Sequence, residues 1–441
     1  MISLTKPEQA GELAAALARG AGRAWALPSH SKSKMLERIA RGIESDSEGF
    51  ARLIVEEVAK PLKEARREVS RAAFTFDWAS EEAKRFGGEL LPLDLDLNTE
   101  GRFALTRRFP RGPALFITPF NFPLNLVAHK VAAAIAVGVP WALKPAPQAP
   151  RTAERLGELI LEAGWPKECM AVVSCSNELA EGLVRDPNFG VLSFTGSDKV
   201  GWHLKSVAGK KHAILELGGN AAAYVAPDAD LAWAAARIAW GAFYYSGQVC
   251  ISVQRVLVHA KVYEPFKEML LKNISELVIG EPGDERTDIG PLISEESAKR
   301  VEAWIQEAVS AGGRLLAGGR RQGRLIFPTL VENVPSHAKL SCQEAFGPVA
   351  TIEPVDSRER ALERIGEGGF GLQAGLFTND LKGVFDAWNR VPVGGLILND
   401  IPAFRSDAMP YGGVRDSGTG REGVRYAMEE LTERRTLVLR P

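Results

Sequence analysis

Between Gly112 and Gly218 the chain alternates short apolar runs with amphipathic stretches, and this alternation constrains the fold more than any other feature. The runs are apolar at nearly every position, as strands are when both faces of a sheet are covered. Strands that alternate with helices predict a parallel sheet of the dinucleotide-binding kind. The predicted strands are 113–118, 141–144, 170–174, 191–194 and 213–216, and the predicted helices are 124–137, 151–163, 177–185 and 198–207.

A second alternating set follows the glycine pair Gly218 and Gly219 and predicts a second α/β domain. A cleft between two such domains is the natural place for a ligand. Residues 8–88 have helical spacing and few Gly or Pro, which predicts several helices, and the charged stretch 57–69 is expected to be helix surface. The strands of the second set include 221–225, 255–259 and 394–398, and its helices include 298–310.

Residues 90–108 predict a β-hairpin, because two alternating segments flank the turn sequence Asn98-Thr-Glu-Gly101. A two-stranded hairpin is not stable alone, so this segment needs further strands beside it.

Two residues in these patterns point to covalent chemistry. Cys250 follows the small turn Ser246-Gly247-Gln248, which places its thiol at the end of an element where backbone N–H groups are free to donate. Glu216 stands in an apolar strand, and a buried carboxyl has a raised pKa that suits it to take protons near neutral pH. In isolation Cys250 would more often be an inert buried residue, so the surrounding pattern decides.

The segments Leu-Glu-Leu-Gly-Gly at 215–219 and Gly-Gln-Val-Cys at 247–250 resemble the two signatures of the aldehyde dehydrogenase superfamily, with 250 − 216 = 34 residues between Glu216 and Cys250. The resemblance covers nearly the whole chain. It implies an α/β fold with two doubly wound parallel-sheet domains and a β-hairpin oligomerisation arm. The implied units are a dinucleotide-binding domain (1–89 and 111–217), the arm (90–110 and 432–441) and a catalytic thiol domain (218–431).

The resemblance also implies a reaction, the NAD(P)+-dependent oxidation of an aldehyde to the acid. Cys250 would attack the aldehyde carbon, and Asn121 with the Cys250 backbone N–H would stabilise the oxyanion. Glu216 would activate the water that hydrolyses the thioester. Lys130 and Glu422 match positions proposed to relay protons, although lone charges are more often structural ion pairs.

The cofactor is expected to be NAD or NADP. The turn Phe194-Thr-Gly-Ser197 follows a strand and opens a helix, where Gly196 allows close approach and Ser197 could cap the helix. Pro147 stands where many members have a ribose-binding Glu, so the choice of cofactor stays open. Two Gly-x-Gly-x-x-Gly stretches, at 366–371 and 418–423, are expected to be turns. The cofactor set that the resemblance implies is Thr118, Pro119, Lys144, Ala146, Pro147, Gly196, Ser197, Gly201, Leu217, Gly218, Glu344 and Phe346.

The substrate-facing positions implied by the resemblance include an unusual guanidinium, because many members have an aromatic ring at the position of Arg405. With His129, Arg405 would favour a short polar or anionic aldehyde such as lactaldehyde, succinate semialdehyde or a phosphono- or sulfo-substituted acetaldehyde. Alternatively Arg405 pairs with Asp400 or Asp407 and does not meet the substrate. The implied pocket comprises Phe122, His129, Tyr244, Ile251, Arg405 and Tyr411.

Three other functions remain open. A CoA-acylating enzyme generally lacks the strand glutamate, which is present here. A cysteine hydrolase needs a His to activate the thiol, and none is close in sequence. A non-catalytic protein on the same scaffold would not need Cys250, Glu216 and Asn121 together.

Composition excludes several function classes. The chain has 441 residues, with 54 Lys and Arg against 55 Asp and Glu, so no basic excess argues for nucleic acid. The longest apolar run, 131–143, is too short to cross a bilayer, and no signal peptide is expected. Four scattered cysteines fit a reducing cytoplasm, and neither they nor the six histidines predict a metal site. A homodimer or homotetramer follows from the resemblance alone.

Overall fold

The computed structural model describes residues 1–440. Its helices agree with the sequence prediction to within one or two residues between 112 and 218. The helices are α1 Pro7–Ala26, α2 Ser29–Ser45, α3 Ser47–Val58, α4 Leu62–Arg85, α5 Asn125–Val137, α6 Pro150–Glu162, α7 Asn177–Arg185, α8 Asp198–Val207, α9 Leu231–Phe243, α10 Tyr263–Ser275, α11 Glu295–Ser310, α12 Lys339–Cys342, α13 Arg358–Gly366, α14 Leu381–Arg390 and α15 Val424–Glu430, with 3-10 turns at Lys167–Cys169, Tyr244–Gly247 and Ala260–Val262.

The strands form two large sheets and several small ones. They are β1 Ile2–Ser3, β2 Leu90–Pro92, β3 Phe103–Pro110, β4 Ala114–Ile117, β5 Trp141–Lys144, β6 Met170–Ser174, β7 Val191–Thr195, β8 His212–Glu216, β9 Ala221–Val225, β10 Val253–His259, β11 Arg314–Ala317, β12 Arg321–Gln322, β13 Leu325–Ile326, β14 Thr329–Glu332, β15 Val349–Val355, β16 Phe370–Gly371, β17 Gln373–Phe377, β18 Gly395–Leu398, β19 Val414–Arg415, β20 Gly418–Thr419 and β21 Thr432–Leu439.

The first sheet has the order β1-β6-β5-β4-β7-β8-β20. Its strands are parallel apart from β20 at the edge, which pairs antiparallel with β8. Strands β4, β5 and β7 are buried at every position, as the near-continuous apolar runs predict.

The second sheet has the order β11-β14-β15-β10-β9-β17-β18. Its strands are also parallel, except that β11 pairs antiparallel with β14. Both large sheets are therefore doubly wound parallel sheets with one antiparallel edge strand, and the predicted fold class is confirmed.

The predicted hairpin forms β2 and β3, and the C-terminal strand β21 completes a three-stranded antiparallel sheet beside them. Eight residues of β21, Thr432–Leu439, pair in continuous register with β3. The hairpin thus gains its third strand within the same chain. Pro441, the last residue of the predicted arm, lies outside the described residues.

Residues 418–419 pair with the first sheet, although the predicted thiol domain, 218–431, includes them. Strand β20, Gly418–Thr419, pairs with Glu216 and Leu215 of β8, and the Leu217 N–H donates to the Ser417 carbonyl. The second Gly-x-Gly-x-x-Gly stretch therefore starts in a strand. Residues 411–431 run from the second sheet back to the first, so they belong to both regions.

The charged stretch 57–69 is helix surface only in part, at exposed residues such as Arg66 and Arg67. Lys60 and Glu68 are fully buried and form an ion pair, and Glu68 also accepts from the backbone N–H groups of Leu124 and Asn125 at the start of α5. A buried carboxylate persists only when its hydrogen bonds are satisfied, and here the orphan N–H groups of a helix end supply them. The expectation of helix surface is therefore wrong for Lys60 and Glu68, because a charged side chain can also be buried in an ion pair.

No helix within residues 1–440 is both long enough and apolar enough to cross a membrane. Across the same range no group of His, Cys, Asp and Glu could hold a metal ion.

Candidate active site

A cavity of about 730 Å³ opens where strands of the first sheet end. Strands β4, β7 and β8 are neighbours and parallel, so the residues that follow them meet at one edge of the sheet. Asn121 follows β4, Gly196 follows β7, and Glu216 ends β8, and all three line the cavity. The second domain contributes Cys250 from the opposite side.

The turn before Cys250 is tightly held. Tyr245, Ser246 and Gly247 all have positive φ, and a Cβ at Gly247 would collide with the Gly347 carbonyl. The Ser246 hydroxyl donates to the Gly290 carbonyl at 2.7 Å. The turn needs left-handed backbone conformations and a glycine at position 247, and it therefore fixes the position of the thiol.

The half-buried Cys250 thiol lines the cavity, and the loss of hydration there raises its pKa to about 12. Its Sγ lies 3.2 Å from the Tyr411 hydroxyl, a hydrogen bond that acts in the opposite direction on the pKa. No histidine lines this cavity within the described part of the chain. A histidine-activated cysteine hydrolase therefore lacks its base.

Asn121 is buried close to the thiol loop. Its Nδ2 donates to the Gln248 carbonyl at 3.0 Å, and its Oδ1 has no partner within residues 1–440. One hydrogen of the amide is therefore committed to the backbone of the thiol loop, and the second is free for a ligand.

Glu216 is buried, and neither of its carboxyl oxygens has a hydrogen-bond partner among residues 1–440. Burial, followed by the negative charge of Glu422, raises its pKa well above the ordinary value. An unpartnered buried carboxyl that binds its proton tightly is a group suited to proton transfer.

A row of charged side chains continues from Glu216 into the first domain. Lys130 Nζ donates to Glu422 Oε1 at 2.8 Å and to Ser193 Oγ at 2.7 Å, and Arg405 Nη2 donates to Glu422 Oε2 at 3.2 Å. Burial opposes ionisation of Glu422, but the two cations lower its pKa to about 2. Lys130 and Glu422 form an ion pair. Neither lines the cavity, and Arg405, which does, connects Glu422 to it.

Arg405 lines the cavity, with its guanidinium carbon 3.8 Å from the centre of the Tyr411 ring. Neither alternative partner of Arg405 is used. Asp400 accepts from Arg237, and Asp407 accepts two hydrogen bonds from Arg71.

His129 does not line the cavity, so its predicted place in the substrate pocket is wrong. Its side chain is fully buried within α5, and its Nε2 lies 2.8 Å from Asp407 Oδ1. Burial, and then the charge of Arg405, lower the pKa of His129. Helix α5 is buried at every position, so spacing along it gives no sign of which side meets the cavity.

Arg71 is one of several cavity residues that sequence reasoning missed, among them the charged Lys199 and Arg300. Arg71 Nε and Nη2 donate to the two carboxylate oxygens of Asp407 at 3.0 and 2.7 Å. One signal could have found it, because Glu64, Glu68 and Thr75 share a face of α4 with Arg71 and are buried polar residues. The remaining predicted pocket residues, Phe122, Tyr244, Ile251 and Tyr411, all line the cavity.

The other end of the cavity is built from backbone and glycines. Ser197 is the N-cap of α8, but its side chain makes no capping bond, so the predicted cap is absent and the helix N-terminus is left for a ligand. Glu344 Oε1 accepts from the Gly219 N–H at 3.1 Å, and a Cβ on Gly218 would collide with its carboxylate. Burial raises the pKa of Glu344 to about 7.

The predicted cofactor residues divide into two groups. Pro119, Gly196, Ser197, Leu217, Gly218, Glu344 and Phe346 line the cavity. Thr118, Lys144, Ala146, Pro147 and Gly201 lie outside it, at or near the ends of β4 and β5 and in α8. The buried hydroxyls of Thr118 and Thr195 have no partner within the described chain. A groove with an open helix N-terminus, close-approach glycines and spare hydroxyls fits a dinucleotide.

Residues 2–437 match the model of the aldehyde dehydrogenase family. The chain belongs to the aldehyde dehydrogenase family. It is 44% identical over 411 residues, 93% of this chain and 86% of the relative, to the 3-sulfolactaldehyde dehydrogenase of Priestia megaterium.

Solved aldehyde dehydrogenases have the same fold. Aldehyde dehydrogenase 21 of Physcomitrella patens, in complex with the reaction product succinate, superimposes with a TM-score of 0.97 at 41% identity, covering 99% of this chain and 91% of that one. Glyceraldehyde-3-phosphate dehydrogenase GapN of Methanocaldococcus jannaschii, complexed with NADP, gives 0.95 at 36% identity, covering 100% and 96%. This aldehyde dehydrogenase is an NAD(P)-dependent oxidoreductase acting on an aldehyde.

Proposed function

We propose that this aldehyde dehydrogenase oxidises a short anionic aldehyde to the acid, with Cys250 as nucleophile, Asn121 as oxyanion donor and Glu216 as general base. The observation that carries the proposal concerns the three guanidinium groups that line the cavity containing the thiol and the buried carboxyl. Arg300 donates to the Ala345 carbonyl beside Glu344, which leaves Arg71 and Arg405 for the substrate.

The first half of the reaction uses the thiol end of the cavity. Cys250 Sγ forms a bond to the aldehyde carbon, and the resulting oxyanion accepts from the free amide hydrogen of Asn121 and from the Cys250 backbone N–H. The cofactor supplies the acceptor for the two electrons that leave this carbon, which becomes a thioester. Pro119, Gly196, Ser197, Leu217, Gly218, Glu344 and Phe346, which line the other end, would hold it.

Glu216 serves the second half. Its unpartnered oxygens are free to accept a proton from a water molecule, which then attacks the thioester carbon, releases the acid and restores the thiol. Lys130 and Glu422 would pass the proton onward. The charge of Glu422 acts on Glu216, and the Glu422 carboxylate accepts a hydrogen bond from Lys130.

The substrate class follows from the cations. Each guanidinium has one carboxylate partner, Asp407 for Arg71 and Glu422 for Arg405, and donors to spare. The names of three similar proteins agree with this class, because sulfolactaldehyde, succinate and glyceraldehyde-3-phosphate each carry an anionic group. Four other relatives are lactaldehyde dehydrogenases, whose substrate is polar but uncharged. Sulfonate, carboxylate and phosphate all suit the planar fork of arginine.

The test compares anionic with neutral aldehydes. Losing a hydrogen bond to a charged group costs about 1.5–3 kcal/mol, so Arg405→Leu or Arg71→Leu should lower kcat/KM for succinate semialdehyde roughly tenfold to a hundredfold relative to propionaldehyde. Arg237→Leu, whose guanidinium pairs with Asp400 outside the cavity, is the matched control. Equal losses for both aldehydes would remove the anionic class from the proposal.

We further propose that the protein works in the cytoplasm as a homodimer or homotetramer. All four cysteines are free, as expected in a reducing compartment. The exposed Leu437 and Val438 on the outer strand β21 offer an apolar edge for a second subunit. Sedimentation equilibrium measures the assembly, and a monomer at all concentrations would contradict it.

A further inference from the structure

The Tyr411 hydroxyl is directed at the reacting sulfur. Its Oη lies 3.2 Å from Cys250 Sγ, and within residues 1–440 this is the only hydrogen bond that the hydroxyl makes. Tyr411 is almost wholly buried, so little water competes for the contact. A phenol in this position can do more than fill the pocket wall.

The backbone of Tyr411 is fixed by its partner across a bridge. The Tyr411 N–H donates to the Glu422 carbonyl at 3.0 Å, and the Glu422 N–H donates to the Tyr411 carbonyl at 2.7 Å. The Glu422 side chain in turn holds Arg405, whose guanidinium covers the Tyr411 ring. Backbone and ring are therefore held from two sides, and the hydroxyl has a defined direction.

The proton of this hydrogen bond belongs to the phenol when the thiol ionises. Burial raises the pKa of Tyr411 well above its ordinary value, so the phenol keeps its proton. A hydrogen bond donated to the charged form of a group favours that form. The contact with Tyr411 and the charge of Arg405 both lower the pKa of Cys250, against the burial that raises it.

We propose that Tyr411 is a catalytic residue of this enzyme, whose hydroxyl donates a hydrogen bond to the Cys250 thiolate and so maintains the nucleophile before it attacks. Tyr411 keeps its own proton throughout. The inference rests on the proposed function only in taking Cys250 as the nucleophile, and it is independent of which aldehyde is oxidised.

The test measures the reactivity of the thiol without aldehyde or cofactor. Tyr411→Phe keeps the ring beneath Arg405 and removes only the hydroxyl. Alkylation of the Cys250 peptide by iodoacetamide, followed by mass spectrometry across pH, reports the thiolate fraction. Loss of one such hydrogen bond should move the pH midpoint upward by about one unit, which makes alkylation about tenfold slower below the midpoint.

The matched control removes a different buried hydroxyl. Tyr263 donates to Glu332 at 2.7 Å in the second domain, so Tyr263→Phe should leave the alkylation profile of Cys250 unchanged. A second variant acts in the opposite direction: 3-fluorotyrosine at position 411 is a more acidic phenol and a stronger donor, and should move the midpoint downward.

Steady-state kinetics separates this role from substrate packing. If the hydroxyl serves the sulfur, Tyr411→Phe lowers kcat/KM by the same factor for succinate semialdehyde and for propionaldehyde. Different factors, together with an alkylation profile that neither Phe nor fluorotyrosine shifts, would overturn the proposal. Cys250→Ala tests the nucleophile separately, so failure of the proposed function would be recognised by its unaltered turnover.

Discussion

The two ends of the active-site cavity are built from different materials. The cofactor end is built mainly from glycines, a helix N-terminus and the acceptor carboxyl of Glu344, contributed by segments 195–199, 217–218 and 342–346. Its charged side chains, Asp198, Lys199 and Arg300, line the wall around them. The thiol end consists of the ionisable side chains Glu216, Cys250, Arg405 and Tyr411, with Glu422 paired to Arg405 behind them, and each of the five shifts the pKa of another. The comparison indicates that the cofactor end would bind its ligand mainly through backbone groups and close-approach glycines. At the thiol end, interacting ionisable side chains set the protonation states that the reaction needs.

The largest expected effect is a loss of turnover, and it tests whether the thiol end alone carries out the reaction. Cys250→Ala should lower kcat by about four orders of magnitude or more, because removal of a nucleophile leaves only binding and the oxyanion donors. Binding of the cofactor, measured by titration calorimetry, should stay within about twofold, because it uses the opposite end. Cys169→Ala, in a packed region away from the cavity, is the control and should retain turnover.

A second variant separates the role of Glu216 from that of Cys250 within the thiol end. Glu216→Gln cannot activate water, so steady-state turnover should fall by about 10²–10⁴-fold while the first turnover continues. Stopped-flow absorbance of the reduced nicotinamide should then record a burst of about one equivalent per Cys250. Absence of a burst would mean that Glu216 acts before the thioester forms.

The cofactor end is tested through its glycines. A Cβ on Gly218 meets the Glu344 carboxylate, which would have to move. Gly218→Ala should therefore raise KM for the cofactor by about tenfold, or about 1.4 kcal/mol, and leave alkylation of Cys250 by iodoacetamide unaltered. A changed alkylation rate would break the division between the two ends.

The smallest effect is a shift of a pH profile. Glu216 must lose its proton to act as a base, and burial, followed by the charge of Glu422, raises its pKa, so hydrolysis of the thioester should accelerate as pH rises. Glu422→Gln removes that charge and should move the rising limb to lower pH by about one unit. Deacylation after reaction with p-nitrophenyl acetate measures this limb without cofactor. If the pH dependence of deacylation does not shift but the maximum rate falls, the result would support a relay role for Glu422 instead.

Local patterns predicted most of the fold, whereas the cofactor residues were predicted from the family resemblance. The strands and helices of the first domain follow from apolar runs and helical spacing, and the Cys250 and Glu216 segments carry signatures that are continuous in sequence. The Arg71–Asp407 pair at the thiol end could not be derived in the same way, because these residues are 336 residues apart and meet only after folding. His129 was misassigned for the same reason, since nothing near it in sequence names Asp407 as its partner.

The return of residues 411–431 to the first sheet has a consequence for the newborn chain. Tyr411 follows Cys250 by 161 residues, and Arg405 and Glu422 are equally late. While the ribosome is still translating this stretch, the sulfur has already emerged without the phenol, the guanidinium or the strand that closes the sheet beside Glu216. The centre is therefore incomplete in the nascent chain until residues 405–422 have been synthesised.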